Sequence, residues 1–177
     1  DFNILGASTS NYGAYLGFLS GGTSVGKIAR YGRIQGGTSD DFFITTGTTN
    51  NLLFGINNVE KARIDTSGNF LVGKTAISVA NVGVEARADG ILASTRNGGE
   101  SIRANRTNSD GDIIALKKDN STVGAIGVNA GRLYIGSTAG NDSFVTFTGD
   151  EIYPATSTGG GRDNAINLGT SGARFKD

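Results

Sequence analysis

The chain has 177 residues, of which 37% are hydrophobic and 8% aromatic, with 29 Gly and one Pro. Gly at more than twice its usual share of about 7%, without a Gly-X-Y period, excludes collagen, and a lone Pro excludes a polyproline rod. Sixteen basic and sixteen acidic residues leave no net charge to steer the chain to nucleic acid, and the absence of Cys and His removes disulfides, the usual zinc sites and histidine-dependent triads.

In chain order, Ser20-Gly21-Gly22 is the first turn signal and Gly36-Gly37 the second. Asp40-Asp41 reads as a solvated loop before a Phe42-Phe43-Ile44 strand. Ala62-Arg63-Ile64-Asp65, Thr66-Ser67-Gly68-Asn69 and Phe70-Leu71-Val72-Gly73 predict a strand, a turn and a returning strand. Alternation continues in Ile77-Ser78-Val79-Ala80 and Val82-Gly83-Val84-Glu85-Ala86-Arg87, which predicts a strand pair. Further turns are predicted at Asn97-Gly98-Gly99, Asp110-Gly111 and Thr148-Gly149-Asp150, with strands at Arg132–Gly136 and Ser143–Thr148. The best helical stretch, Val82–Ala88, is short and broken by Gly83. No apolar run approaches the roughly 18 residues a membrane-spanning helix needs, so membrane insertion is not expected. No signal peptide is visible, and a chain without Met that starts at Asp1 reads as a piece of a longer or processed protein.

The chain also resembles itself. Val25-Gly26-Lys27-Ile28 recurs as Val123-Gly124-Ala125-Ile126, and at the same offset Thr9 matches Thr107, Gly13 matches Gly111, Leu16 matches Ile114 and Phe18 matches Leu116. Phe43-Ile44-Thr45 lines up with Phe144-Val145-Thr146, and Thr66-Ser67-Gly68 with Thr170-Ser171-Gly172. Three segments follow: a first β module over 1–75, a β connector over 76–99 and a second, related β module over 100–177. Short strands with sparse, small apolar residues can close into a barrel or sandwich, or three copies can cover one another's edges around a narrow axis. The second solution suits this composition. The expected fold class is all-β: an elongated, intertwined homotrimeric structure, a triple β-helix or β-prism-like shaft with small β modules.

Glu60-Lys61-Ala62-Arg63-Ile64-Asp65-Thr66-Ser67-Gly68-Asn69-Phe70-Leu71-Val72-Gly73-Lys74-Thr75 resembles the Glu-Arg-Met-Arg-Ile-Asp-Ser-Ser-Gly-Asn-Val-Gly-Ile-Gly-Thr segments of bacteriophage tail fibres and tailspikes. The second module is closer, in Arg106–Ile114, Lys117-Lys118-Asp119, Thr122–Gly127, Ala165–Gly169 and Arg174–Asp177. The resemblance covers about 50–177 and is similar to the region preceding a C-terminal intramolecular chaperone. It implies a homotrimer on the virion, extracellular when functional. The implied partners are other tail-fibre segments, the chaperone during assembly, and a bacterial cell-surface glycan or protein receptor. The chaperone's own self-cleaving residues have no counterpart here, so no protease role is implied.

For receptor binding the candidates are Tyr12, Tyr15, Tyr31 and Tyr134, since tyrosines stack on sugar rings; packing between strands is the competing role of each. No catalytic residue, metal or cofactor is assigned. Asp110-Gly111-Asp112 lacks the downstream Glu of an EF-hand and reads as a tight turn. Glu60, Glu85, Glu100 and Glu151 are the only glutamates, and their spacing brings no two together as a glycosidase requires. Gly73-Lys74-Thr75 ends like a phosphate-binding loop without its glycines, and Gly159-Gly160-Gly161-Arg162 reads as a flexible turn. The function expected is structural and host-attaching, without catalysis. The alternatives are a tailspike-type glycan depolymerase and a purely structural shaft spacer.

Overall fold

A computed structural model describes residues 2–5, 15–30, 41–47, 49–138, 142–167 and 169. The chain divides into two units, Asp1–Ile102 and Arg103–Asp177. Every regular element among the described residues is a β-strand, arranged in three antiparallel sheets. The first sheet holds β1 (Phe2–Leu5), β2 (Tyr15–Ser20), β3 (Thr23–Arg30) and β4 (Phe42–Thr46). The second holds β5 (Leu52–Ile56), β6 (Val59–Ile64), β7 (Phe70–Val72), β8 (Gly83–Ala86) and β9 (Leu92–Thr95). The third, in the second unit, holds β10 (Gly111–Lys118), β11 (Ser121–Asn129), β12 (Arg132–Ser137), β13 (Ser143–Phe147) and β14 (Ile152–Ala155). In each sheet the strands lie in chain order, so every connection is local. The segment 76–99 supplies the antiparallel pair β8–β9, but Ile77-Ser78-Val79-Ala80 is not one of its strands: the Ser78 backbone bonds Lys74 and Glu85 side chains instead of a neighbouring strand, and β8 pairs Leu92–Thr95.

One meander recurs three times, once per sheet. Each begins with a two-residue hairpin turn whose central residues both have positive φ: Gly21-Gly22, Asn57-Asn58 and Asp119-Asn120. That geometry matches the twist of the flanking strands. Each hairpin then carries one extra residue on its second strand, because Phe18 pairs Gly26 while Leu19 pairs Ser24, Phe54 pairs Ala62 while Gly55 pairs Glu60, and Leu116 pairs Gly124 while Lys117 pairs Thr122. The extra residues are Val25, Lys61 and Val123. A bulge leaves a backbone group out of the ladder, and here the third strand answers it. Gly47, Gly73 and Thr138 each donate their amide to the bulged carbonyl, at 3.1, 2.9 and 3.2 Å.

The repeat corrects part of the sequence alignment. Leu16 faces Ile28 as Ile114 faces Ile126, so the first stretch keeps its register. Beyond it, Ile44 pairs Ile28 and Ile135 pairs Ile126, which makes Tyr134-Ile135-Gly136 the counterpart of Phe43-Ile44-Thr45. Phe144-Val145-Thr146 lies on the fourth strand. Phe43-Ile44-Thr45, Tyr134-Ile135-Gly136 and Phe144-Val145-Thr146 begin alike, with an aromatic and a β-branched residue, and only the ladder distinguishes them. The proposed partner of Thr66-Ser67-Gly68, Thr170–Gly172, lies outside the described residues. Asp110-Gly111 is likewise not a hairpin turn: Gly111 opens β10, and the reversal occurs at Asp119-Asn120.

Paired residues project to one face of a sheet, and the two faces differ in cover. In the second sheet, Leu71 (0% exposed) and Glu85 (1%) lie beneath the segment after β7. Lys74 Nζ donates to Glu85 Oε2 at 2.9 Å and to the Ser78 carbonyl at 2.6 Å, and the Ser78 amide donates to Glu85 Oε2 at 2.9 Å. Gly83 permits this closure, since a Cβ there would lie 2.6 Å from the Val72 carbonyl oxygen and 3.0 Å from Lys74 Cδ. The bonds from Lys74 and Ser78 hold the Glu85 carboxyl below its ordinary value against the opposing pull of burial. Stability from this pair is therefore present above about pH 4.5 and lost as pH falls through the lowered folded value. Lys74→Met should invert that dependence: with the cation gone, burial raises the Glu85 pKa, and the variant should melt higher at pH 4 than at pH 7 in calorimetry, whereas the parent melts lower.

In the third sheet the covered face holds Ala125, Tyr134, Phe144, Thr146 and Ala155. The turn after β14 lies over it: Thr146 Oγ1 donates to the Gly159 carbonyl at 3.2 Å, and a Cβ on Gly159 would sit 2.6 Å from Tyr134 Cδ1. The opposite faces have no such cover from their own unit's described residues. Across the second sheet run Leu52, Ile64, Phe70, Ala86 and Leu92, then Phe54, Ala62, Val72, Val84 and Ser94. Across the third run Ile114, Ile126, Ile135, Val145 and Pro154. The first sheet repeats the row as Leu16, Ile28 and Ile44. Leu92 is 74% exposed, Ile44 48% and Ile135 38%.

Candidate functional site

Of the four tyrosine candidates, Tyr12 and Tyr31 lie outside the described residues, as does the side chain of Tyr15 in β2. Tyr134 is a core residue, 1% exposed, packed edge-to-face on Phe144 with ring centroids 5.8 Å apart. Its ring is not free to stack on a sugar, because alternation along β12 turns it to the covered face. Its hydroxyl reaches the margin of that face and donates to Asp112 Oδ1 at 2.8 Å. Burial first, then the Asp112 carboxylate, push the phenol up to about 12. The raised value contributes stability below pH 10 that is lost as pH rises toward 12. Tyr134→Phe should cost about 1 kcal/mol at neutral pH, and its melting temperature should lack the parent's extra decline above pH 10.

Around that hydroxyl the third sheet forms an open cavity of about 290 Å³, lined by Asp110, Gly111, Asp112, Asn129, Tyr134, Ser157 and Thr158. Three segments build it: the start of β10, the β11–β12 turn and the turn after β14. Each is pinned. Asp110 Oδ2 accepts the Ala130 amide at 2.7 Å, Asn129 Nδ2 donates to the Thr158 carbonyl at 2.8 Å, and Arg106 donates to the Ser109 and Asp112 carbonyls, both at 3.1 Å. Thr156 Oγ1 accepts the Gly160 amide at 3.2 Å, closing a turn whose αL position is Gly159 (φ +78). The glycine stretch thus continues a hydrogen-bonded turn whose Ser157 and Thr158 line the cavity. Sequence reasoning had Asp110 and Asp112 only as turn residues; the signal missed was the pairing that sets Asp112 opposite Gly127, and Gly127 opposite Tyr134.

Glu60, Glu85 and Lys74 are occupied by structural partners. Glu60 is gripped in a bidentate pair by Arg63, at 2.6 and 2.7 Å, which lowers its pKa, and Glu85 is lowered by Lys74. A glycosidase acid needs the opposite shift. Lys74 is spent on Glu85 and Ser78, so the Gly73-Lys74-Thr75 ending does not present a free ammonium. Among the described residues no three acidic groups gather as a metal site would require, and no helix is long and apolar enough to cross a membrane.

Comparisons with protein-family models, curated proteins and solved structures find no match to the chain.

Proposed function

We propose that the chain is a non-catalytic structural and host-attachment module of a trimeric bacteriophage tail fibre, carried on the virion and exposed to a bacterial surface. The observation that carries this reading is the uncovered apolar face repeated in all three sheets. Among the described residues only six hydrophobic side chains are buried, whereas twenty-four large ones are exposed. A soluble monomer rarely leaves so much apolar surface contiguous, and covering it is the main favourable term open to such a chain. The rows just described carry no charged residue, so a second and third copy of the same face meet without an ion needing a partner. In the third sheet the row Ile114, Ile126, Ile135 and Val145 is β-branched, which suits a narrow threefold core. The tail-fibre resemblance of residues 60–75 and of the second module supplies the setting, in which three copies present identical surfaces to a repetitive receptor and weak single sites act together.

Light scattering at micromolar concentration tests the assembly. The expected mass is three times the 18.1 kDa of one chain, and a monomeric mass overturns it. Attachment is tested separately by binding of the fluorescent protein to host cells. A trimer that fails to bind them is a shaft spacer.

A further inference from the structure

The cavity in the third sheet has a chemistry of its own, and we infer that it binds one unit of a neutral saccharide through adjacent hydroxyl groups. The inference rests on the attachment reading above for its biological sense, but the site stands on its own geometry. At about 290 Å³ it lies near the lower end of small-ligand cavities. Two carboxylates, a carboxamide, two hydroxyls and a tyrosine are among the groups that line it, beside the apolar surface usual in such cavities.

The internal bonds use only part of this set. Asp112 gives Oδ1 to the Tyr134 hydroxyl and Asp110 gives Oδ2 to the Ala130 amide. Among the described residues, Asp112 Oδ2 and Asp110 Oδ1 have no hydrogen-bond partner, and Asn129 keeps its Oδ1 after donating to Thr158. The site is therefore rich in hydrogen-bond acceptors. A ligand that fits must bring several hydroxyl donors close together, and hydrogen bonds from hydroxyls to carboxylates are the strong, charge-assisted kind. Adjacent sugar hydroxyls meet that demand. A phosphorylated or acidic sugar does not, because its charge would face two carboxylates. The Ser157 and Thr158 hydroxyls can donate as well as accept, which accommodates a ring oxygen or an acetamido carbonyl. Because the loops are pinned by the Arg106, Asn129 and Asp110 bonds, little ordering cost remains for the ligand to meet.

Saturation-transfer difference NMR on the full chain tests this with four probes: neutral hexoses and N-acetylhexosamines, sialic acid, lysine as a small cation, and calcium ion. Neutral sugars should give saturation transfer concentrated on adjacent ring protons, with millimolar affinity for a single site. The variants Asp110→Asn and Asp112→Asn each keep the oxygen that serves the protein and turn the free one into a donor. Each should weaken sugar binding about 10- to 100-fold, the loss of one hydrogen bond to a charged group, while far-ultraviolet circular dichroism and the scattering mass stay those of the parent. No transfer from any neutral sugar up to about 50 mM, where even a weak millimolar site would be occupied, overturns the proposal. So does transfer that both variants leave unchanged, or a preference for sialic acid, lysine or calcium. The scattering mass separates this failure from that of the trimer, since a trimer that binds no sugar and a monomer that does are both readable outcomes.

Discussion

Ile135→Asp is expected to convert the proposed trimer into a folded monomer. Ile135 occupies the centre of the row Ile114, Ile126, Ile135, Val145 and Pro154 on the uncovered face of the third sheet. Within one chain it is 38% exposed, so an aspartate there can keep its carboxylate in water; its cost is the roughly 1 kcal/mol spanned by strand preferences plus the partial apolar burial of one isoleucine, about 1–2 kcal/mol. Around a threefold axis the same substitution places three carboxylates in one dry core, with no cation in the row to pair them. Each then carries a desolvation cost of several kcal/mol. The assembly loses more than the chain does. Scattering mass should fall to one third, while far-ultraviolet circular dichroism stays that of the parent. Ile135→Val, which removes only about 0.8 kcal/mol of apolar burial per chain, should remain trimeric. A trimeric Ile135→Asp would mean that this face is not where the copies meet.

The all-β character was legible because alternation and glycine-rich turns act locally. The hairpin from Ala62 to Gly73 was read from its own residues and stands as β6–turn–β7. The register of the first duplication was also legible, since Val25–Ile28 and Val123–Ile126 occupy equivalent positions in their hairpins. The third copy was not, for a physical reason. What the hairpin demands is positive φ at two positions, and Gly21-Gly22, Asn57-Asn58 and Asp119-Asn120 meet that demand with different residues. Sequence identity is lost where conformation is kept.

Tyr134 illustrates a second limit. Leu133, Tyr134 and Ile135 alternate between faces, but both faces of this sheet are apolar, so alternation alone does not say which one the chain covers for itself. The answer depends on the turn at 156–160 folding back onto Tyr134 and Thr146. The Lys74–Glu85 pair was hidden in the same way. Eleven residues separate its members, and only the loop between β7 and β8 brings them together. Long-range closure of this kind leaves no periodic trace.

Phe144→Ala should abolish stable folding of the Arg103–Asp177 unit outside the assembly. Phe144 is 1% exposed and, among the described residues, shares its buried apolar cluster with Ala125, Tyr134 and Ala155. Its ring lies over Gly136, where an added Cβ would fall 2.4 Å from Phe144 Cγ. Truncation removes the largest apolar partner of Tyr134 and leaves a void that two alanines cannot fill. The usual cost of such a change is about 3–5 kcal/mol, with roughly 1 kcal/mol more for the lost edge-to-face pair. A unit of this size has on the order of 4–11 kcal/mol to lose, so the monomer should melt at or near room temperature by near-ultraviolet circular dichroism. Refilling the void from across the sheet should fail. Gly136→Ala would still place its Cβ 2.3 Å from the Ser143 carbonyl oxygen and 2.4 Å from Phe144 Cα, both backbone atoms that remain in the variant. Assembly should rescue what repacking does not, because association stabilises only the folded chain. The melting temperature of Phe144→Ala should therefore rise with protein concentration, and that rise should vanish in the Phe144→Ala, Ile135→Asp double variant. A concentration-independent melting temperature in the single variant would separate the covered core from the uncovered face and leave the two faces of the sheet energetically unconnected.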